Sequence, residues 1–321
     1  MKLHEDKELF RDTVIAASEA LDIRQAYIEK DYWVTCALRH MADLPDADRL
    51  VFKGGTSLTK ALRVGRRFSE DIDIAILDAK GLNGNQLKRL MRKTVKGMAI
   101  DMAEDKTPGT SRKGANYRKE VYLYPQIGEE TGLADEVVSV GRVLIEMSAF
   151  ANPYPCETKV IGNFIADFWR QVGRDDLVER FGLGDFEINV LAINRTFLEK
   201  VVSLMRYSLA DDYGRYMPGK IRHFYDIHYL LKDPVCAAYV KSPVFRHDFE
   251  ELFDHDRKEF DFPKGWLNRT LADSPLLKDP DAAWADLEPV YLREMPALAF
   301  AAIPSARQVL TSFKTVVSKL R

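Results

Sequence analysis

The clearest pattern of hydrophobic and polar positions lies between residues 50 and 77, which read LVFKGGTSLTKALRVGRRFSEDIDIAIL. The apolar run at residues 50–52 predicts a short buried strand, and residues 58–64 resemble a helix. From residue 71 onward, aspartates and isoleucines alternate with a period of two, which is the pattern of a second strand. Asp71 and Asp73 therefore lie on one face of that strand, and the isoleucines lie on the other.

The rest of the chain predicts further helices and strands. Helices are expected at 5–42 (two helices), 84–104, 197–206, 220–230, 244–260 and 304–320, strands at 121–124 and 142–147, and an exposed loop at 105–116.

Two prolines mark a change in the pattern. Pro153 and Pro155 follow the last predicted strand, and the composition then becomes typical of helices. We therefore predict an α+β fold in two domains. Residues 1–155 would form a small mixed sheet with flanking helices, and residues 156–321 a mainly helical C-terminal domain.

Two features of residues 50–77 indicate a site for a nucleoside triphosphate. Two carboxylates on one strand face repel each other, and a divalent cation removes this repulsion. Mg²⁺ commonly binds one or two protein carboxylates together with phosphate oxygens of the substrate. Gly54 and Gly55, with Thr56 and the start of the following helix, let backbone N–H groups approach a phosphate closely. The alternative interpretation is an edge strand, with its polar face in water, after an ordinary turn.

The order of these elements resembles the signature of the polymerase-β-like nucleotidyltransferases, in which a glycine turn and a helix precede a strand with an Asp-x-Asp motif. Gly-Gly-Thr at residues 54–56, followed by Arg-Phe-Ser-x-Asp-x-Asp at residues 67–73, is similar to the AbiEii toxin family of that superfamily. The resemblance covers about residues 25–232. It implies a polymerase-β-like core, phosphate binding at the glycine turn and Ser69, and Mg²⁺ or Mn²⁺ held by the two aspartates.

Two helices of the C-terminal half carry further candidates. Residues 197–206 are amphipathic, and Lys200 borders the apolar face, where its stem can be buried and its ammonium held in place. Asp226 lies on the next helix, four residues after Arg222. The alternative interpretation is a solvated lysine and a weak surface ion pair. AbiEii-like toxins carry a Glu-Lys helix and then an Arg-x-x-x-Asp helix, and this resemblance implies that Lys200 and Asp226 belong to the active site.

Two more polar residues lie among apolar neighbours. Glu146 belongs to a predicted strand, and polymerase-β-like sites often take a third carboxylate from such a strand, so Glu146 is a candidate metal ligand. Lys30 belongs to a Glu-Lys-Asp-Tyr segment that is common in the toxin family, and it is a secondary candidate for the site. The alternatives are a strand-edge salt bridge for Glu146 and a charged helix face covering the sheet for residues 29–31.

Composition limits the classes of protein that fit. A formal net charge of −2 over 321 residues excludes a globally basic nucleic-acid binder. Residues 88–119 nevertheless hold ten basic and three acidic residues, which indicates either a surface for phosphates or a solvated helix face beside a loop. No segment reaches the ~18 apolar residues of a membrane helix, and the N-terminus is too charged for a signal peptide, so a cytoplasmic protein is expected. The cysteines and histidines show no zinc or disulfide spacing.

Together these features predict a metal-dependent nucleotidyltransferase that uses a nucleoside triphosphate (NTP). The resemblance further implies a toxin that transfers nucleotides to the 3′ end of tRNA and blocks translation, with an antitoxin encoded beside it. Two alternatives remain open: nucleotidylation of a protein hydroxyl, and a non-catalytic nucleotide-binding module acting through a partner. The expected site is a cleft with Asp71 and Asp73 on one wall and Lys200 and Asp226 on the other.

Overall fold

The computed structural model describes residues 2–69, 71–127 and 141–321. The chain divides into two compact units. The first, which we call the sheet unit, comprises Met1–Arg63 and Phe68–Leu191. The second, the helical unit, comprises Val64–Arg67 and Ala192–Arg321.

The sheet unit contains six α-helices and eight strands among its described residues. In chain order they are α1 (Lys7–Leu21), α2 (Gln25–Ala42), β1 (Leu50–Lys53), α3 (Gly54–Lys60), β2 (Asp71–Ile76), α4 (Gly84–Met98), β3 (Ala103–Glu104), β4 (Arg112–Lys113), β5 (Tyr117–Leu123), β6 (Arg142–Ser148), β7 (Cys156–Ile161), α5 (Phe164–Gln171), α6 (Asp175–Arg180) and β8 (Phe186–Leu191).

The strands form one mixed sheet, as the sequence predicts. Their order is β3-β5-β6-β2-β1-β8-β7, and β4 pairs with β5 beside this path. The pairs β2·β6 and β1·β8 are parallel, and the other pairs are antiparallel. β2, which carries Asp71 and Asp73, therefore lies inside the sheet, and the alternative interpretation of an edge strand is wrong.

The alternation in β2 has the predicted consequence. The core side of the strand consists of Ile72, Ile74 and Ile76, which are at most 1% exposed. Asp71 and Asp73 are only partly buried on the opposite side. The helix after β1 begins at Gly54 rather than at residue 58, so the glycine pair forms the first turn of α3.

The charged residues of α2 are buried, on a helix that packs against strands β6 and β8 of the sheet. Glu29, Lys30 and Asp31 are 6%, 1% and 5% exposed. Glu29 accepts a hydrogen bond from the N–H of Ile127 at 2.8 Å. Asp31 accepts one from Lys60 at 2.5 Å, and another from the N–H of Phe164. These contacts tie α2 to α3 and α5, because a buried charge requires a partner.

The boundary between the units falls after Leu191 rather than near residue 155. The reason is that β7 and β8 form an antiparallel pair from Cys156 to Leu191, and β8 joins the sheet through β1. Two prolines therefore interrupt the sheet unit without ending it.

The helical unit is built on eight α-helices among its described residues. They are α7 (Ile193–Ser208), α8 (Tyr213–Tyr216), α9 (Ile221–Leu230), α10 (Pro234–Lys241), α11 (Pro243–Glu259), α12 (Pro275–Lys278), α13 (Pro280–Leu298) and α14 (Ala306–Val317). The apolar face predicted for α7 is fully buried. Over residues 2–69, 71–127 and 141–321, no helix is long and apolar enough to cross a membrane.

Candidate active site

The glycine turn lies directly against the aspartate strand. A Cβ atom built on Gly54 would stand 1.9 Å from Oδ2 of Asp73, and Gly54 has φ +79°, in the left-handed region. Only glycine fits this position without strain. The hydroxyl of Thr56 donates a hydrogen bond to the carbonyl of Asp71 at 2.5 Å, which holds the first turn of α3 against β2. The predicted phosphate-binding turn and the predicted metal-binding strand are therefore parts of one local structure.

Strand register aligns four charged residues across the sheet. Lys53 of β1 stands opposite Asp73 of β2, Asp73 opposite Glu146 of β6, and Glu146 opposite Lys119 of β5. Residues paired in this way project from the same face of a sheet. We call these four residues the charged row. Its two carboxylates are flanked by a lysine on each side, and Lys119 Nζ lies 3.3 Å from Glu146 Oε1.

A cavity of about 290 Å³ adjoins this face of the sheet. It is lined by Lys30, Asp71, Gly109, Thr110, Lys119, Val121, Arg142 and Leu144. Three of these side chains are cationic and one is a carboxylate, so the cavity suits a ligand that carries both phosphates and a metal ion. Lys30, the secondary candidate, thus shares a cavity with Asp71.

The donor set of this face fits a hard divalent cation. Asp71 and Asp73 project from one strand face, and Mg²⁺ or Mn²⁺ takes such oxygen ligands together with substrate phosphates. Among the residues that the structure describes, no three His, Cys, Asp or Glu side chains converge closely enough to hold a metal ion by themselves. Glu146 lies beside Asp73 in the charged row but is paired with Lys119, so its role as a third ligand stays a prediction.

In the helical unit, Lys200 and Asp226 are in direct contact. Lys200 Nζ lies 2.8 Å from Asp226 Oδ2. Arg67 binds both oxygens of the same carboxylate, with Nε 2.7 Å from Oδ1 and Nη2 2.8 Å from Oδ2. All three side chains are buried. The alternative of a solvated lysine and a surface ion pair is therefore wrong. The partner of Asp226 is also not the residue four positions earlier on α9, but Arg67 from another part of the chain.

The charges of this buried cluster shift the pKa of their neighbours. Burial by itself would raise the pKa of Asp226, but Arg67 and Lys200 outweigh it and hold that pKa below its ordinary value. The pKa of His223 is well below its ordinary value, because the ring is buried and lies near Lys200 and Lys220. Two cations and one carboxylate leave the cluster with one net positive charge.

The basic stretch at residues 88–119 separates into two parts. Five cations of α4 are exposed, and this helix contains no acidic residue: Lys88, Arg89, Arg92, Lys93 and Lys96. Three cations of β4 and β5 instead contact carboxylates. Arg118 and Lys113 reach the buried Glu120, and Lys119 reaches Glu146.

Two site residues were not singled out from the sequence. Arg67 belongs to the Arg-Phe-Ser-x-Asp-x-Asp motif, and this motif could have indicated it as a site residue. Its partner Asp226 lies 159 residues away, so the sequence did not indicate the pair. Lys53 precedes the glycine pair, and only the register of β1 against β2 shows that it stands opposite Asp73. Ser69 is half-buried two residues before Asp71, and its predicted role in phosphate binding stays a prediction.

A glycine turn packed against an Asp-x-Asp strand inside a mixed sheet is what the sequence motifs predict for a nucleotidyltransferase. The chain belongs to the AbiEii family, described as the nucleotidyl transferase AbiEii toxin of type IV toxin–antitoxin systems, whose model matches residues 36–312. This match confirms the family that the sequence motifs indicate.

A solved structure shows a similar fold. The chain is similar to MenT4, the nucleotidyltransferase toxin Rv2826c from Mycobacterium tuberculosis H37Rv, with 17% identity, a TM-score of 0.59, and coverage of 96% of this chain and 88% of that one. It also matches JHP933 from Helicobacter pylori, with 16% identity, a TM-score of 0.46, and coverage of 92% and 94%. No curated protein matches the sequence. At 17% identity, the likeness to MenT4 shows the fold.

Proposed function

We propose that this nucleotidyltransferase is a toxin that transfers nucleotides from an NTP to the 3′ end of tRNA and thereby blocks translation. The observation that carries the proposal is the contact between Gly54 and the Asp73 carboxylate, on the face that also presents Asp71. A backbone that approaches this closely can bind phosphates beside a metal-binding carboxylate pair. A cognate antitoxin fits the type IV toxin–antitoxin family.

In the proposed reaction, the acceptor hydroxyl oxygen forms a bond to the α-phosphorus of the NTP. The bond from that phosphorus to the diphosphate breaks, diphosphate leaves, and the hydroxyl proton passes to solvent. Asp71 and Asp73 would hold Mg²⁺ or Mn²⁺, which supplies positive charge for the phosphate oxygens. The first turn of α3, with Gly54, Gly55 and Thr56, binds phosphates together with Ser69.

Lys200 would neutralise negative charge on the triphosphate. Its ammonium is positioned by Asp226, and Asp226 is in turn fixed by two hydrogen bonds from Arg67. A lysine held in this way loses little conformational freedom when it binds phosphate.

The distribution of exposed charge favours RNA over a protein as the acceptor. The five exposed cations of α4 have no acidic residue among them, and such a surface suits a phosphate backbone. A variant in which Lys88, Arg92 and Lys96 are changed to Gln should bind tRNA more weakly. Its affinity should also depend less steeply on salt. The slope of log affinity against log salt concentration should become smaller by about one for each phosphate that a cation no longer neutralises.

The test is a transfer assay with the purified protein, Mg²⁺, labelled NTPs and total tRNA. Label should enter RNA, and sequencing of the 3′ ends should show added nucleotides on tRNA. Label in protein but not in RNA would overturn the choice of acceptor and leave nucleotidyl transfer intact. NTP binding without turnover, measured by calorimetry beside the same assay, would instead indicate a non-catalytic module.

A further inference from the structure

Strand β5 begins with an aromatic residue that contacts a second ring and a cation. The rings of Tyr117 and Phe150 are stacked, with centroids 6.2 Å apart and planes 21° from parallel. The guanidinium of Arg112 lies 5.8 Å from the centroid of Tyr117. Both rings are half-buried and Arg112 is exposed. We call these three side chains the aromatic platform.

The platform lies beside the carboxylates of the charged row. Tyr117 stands opposite Ser148 on β6, two residues from Glu146. Its hydroxyl lies close enough to Glu146 to be affected by the charge of that carboxylate. Burial, followed by the negative charges of Glu146 and Asp73, raises the pKa of Tyr117 above its ordinary value. The ring is therefore within electrostatic reach of both carboxylates.

A buried ionic network holds the platform in place. Glu120 is 1% exposed and contacts Arg118 at 2.5 Å and Lys113 at 3.4 Å. It also accepts a hydrogen bond from Tyr122 at 2.6 Å. Arg118 belongs to β5 and Lys113 to β4, so Glu120 fixes the two strands that carry Tyr117 and Arg112. Preorganised rings bind a ligand with a smaller loss of conformational entropy.

The sheet order distinguishes the platform from the phosphate-binding turn. The glycine turn follows β1, and Tyr117 belongs to β5, while the order of the strands is β5-β6-β2-β1. The two features therefore flank the carboxylates of β2 and β6 from opposite sides. Phosphoryl transfer needs the attacking and leaving oxygens roughly in line, on opposite sides of the phosphorus. A donor bound at the glycine turn thus leaves the β5 side for the acceptor.

We propose that the aromatic platform binds the terminal nucleoside of the acceptor RNA, with its base stacked on Tyr117 and Phe150 and its phosphate near Arg112. Aromatic rings with adjacent cations bind single-stranded RNA in this way, because every base has a π-face and every linkage carries a charge. The inference rests on the proposed function, since it assigns the place of the acceptor in that reaction.

The test separates the acceptor from the donor. Affinity for a short fluorescein-labelled single-stranded RNA is measured by anisotropy, affinity for each NTP with Mg²⁺ by calorimetry, and KM for both substrates by initial rates. Tyr117→Ala should weaken RNA binding about tenfold and raise KM for tRNA to a similar extent. Its affinity and KM for the NTP should stay as in the wild type. Tyr117→Phe keeps the ring and should keep RNA affinity.

Two further variants complete the design. Arg112→Gln changes an exposed side chain, so it tests the platform if Tyr117→Ala fails to fold, and it should lower the salt slope of RNA binding by about one. Tyr154→Ala removes an exposed tyrosine outside the platform and should change neither affinity. Wild-type RNA affinity in both Tyr117→Ala and Arg112→Gln, or a loss confined to NTP affinity, would overturn the proposal. Wild-type protein that transfers no nucleotide to RNA would overturn the proposed function itself.

Discussion

Arg67 and Asp226 form a bidentate ion pair, although 159 residues separate them in the chain. Planar guanidinium and carboxylate groups match in this geometry, and both are buried here. The pair joins the segment before the aspartate strand to the helix that follows Lys200. It explains how Asp226 can remain ionised inside the helical unit while it positions Lys200.

Removing Arg67 should destabilise the protein strongly. Arg67→Met leaves a buried carboxylate with one partner, and such changes cost about 3–5 kcal/mol. Chemical denaturation should show this loss, and the double variant Arg67→Met/Asp226→Leu should lose less than the sum of the single variants. The cations lower the pKa of Asp226 in the folded protein. The loss of stability in Arg67→Met should therefore be fully present above the unfolded pKa of ~3.9 and should become smaller as the pH falls below it. Strict additivity in the double variant would contradict this coupling.

Lys200→Ala should abolish most nucleotidyl transfer and destabilise the protein less than Arg67→Met does. The bidentate Arg67–Asp226 pair remains in this variant, so the buried carboxylate keeps two hydrogen bonds from Arg67. Initial rates of transfer to tRNA and thermal denaturation give the two readouts, with the exposed Lys241→Ala as the control. Near-normal turnover in Lys200→Ala would show that another cation serves the triphosphate. Lys30, which lines the cavity with Asp71, would be the next to change.

Asp71→Asn should lower transfer by roughly a thousandfold or more. The change removes one charge from the pair that would bind the metal, and each ~1.4 kcal/mol of lost transition-state stabilisation is a factor of ten. Stability should be unchanged or higher, because repulsion between two carboxylates is relieved. The control is Asp78→Asn at an exposed position just after β2. Wild-type rates in Asp71→Asn would exclude this carboxylate from the reaction.

Gly54→Ala should abolish transfer because the new methyl group meets Asp73. The added Cβ would lie 1.9 Å from Asp73 Oδ2, so the carboxylate has to move. Gly173→Ala is a matched control, since Gly173 also has a positive φ, +72°, but no atom within 4 Å of the added Cβ. Both variants carry similar backbone strain of about 1 kcal/mol. Equal loss of transfer in both would assign the effect to strain and not to Asp73.

Ionisation of the buried Glu29 should lower the free energy of unfolding as the pH rises toward neutrality. Burial raises the pKa of Glu29 to about 7, although the Ile127 N–H opposes this shift. The folded state then binds more protons than the unfolded state between about pH 4.5 and 7, so unfolding becomes easier across this range. Between pH 4.5 and pH 8, the free energy of unfolding of Glu29→Gln should therefore rise by up to about 3 kcal/mol relative to that of the wild type. Denaturation of both proteins across this range is the measurement, with the exposed Glu19→Gln as the control. A constant difference would contradict the shifted pKa.

The sequence by itself determined the local parts of this molecule. Side chains alternate along a strand and recur every three to four residues on a helix, so the pattern placed Asp71 and Asp73 on one face and buried the apolar face of α7. It also determined the family, because the glycine turn and the Asp-x-Asp strand occur within one continuous stretch. These features depend on covalent spacing alone.

The tertiary structure decided which distant residues meet. The charged row depends on the register of four strands, and a shift of one residue in any of them would turn its side chain to the other face. The partner of Asp226 depends on how Val64–Arg67 pack in the helical unit, and local spacing instead favoured Arg222. The end of the sheet unit at Leu191 depends on the pairing of β8 with β1. Pairings of this kind follow from packing and hydrogen bonding between segments, which periodicity along the chain does not encode.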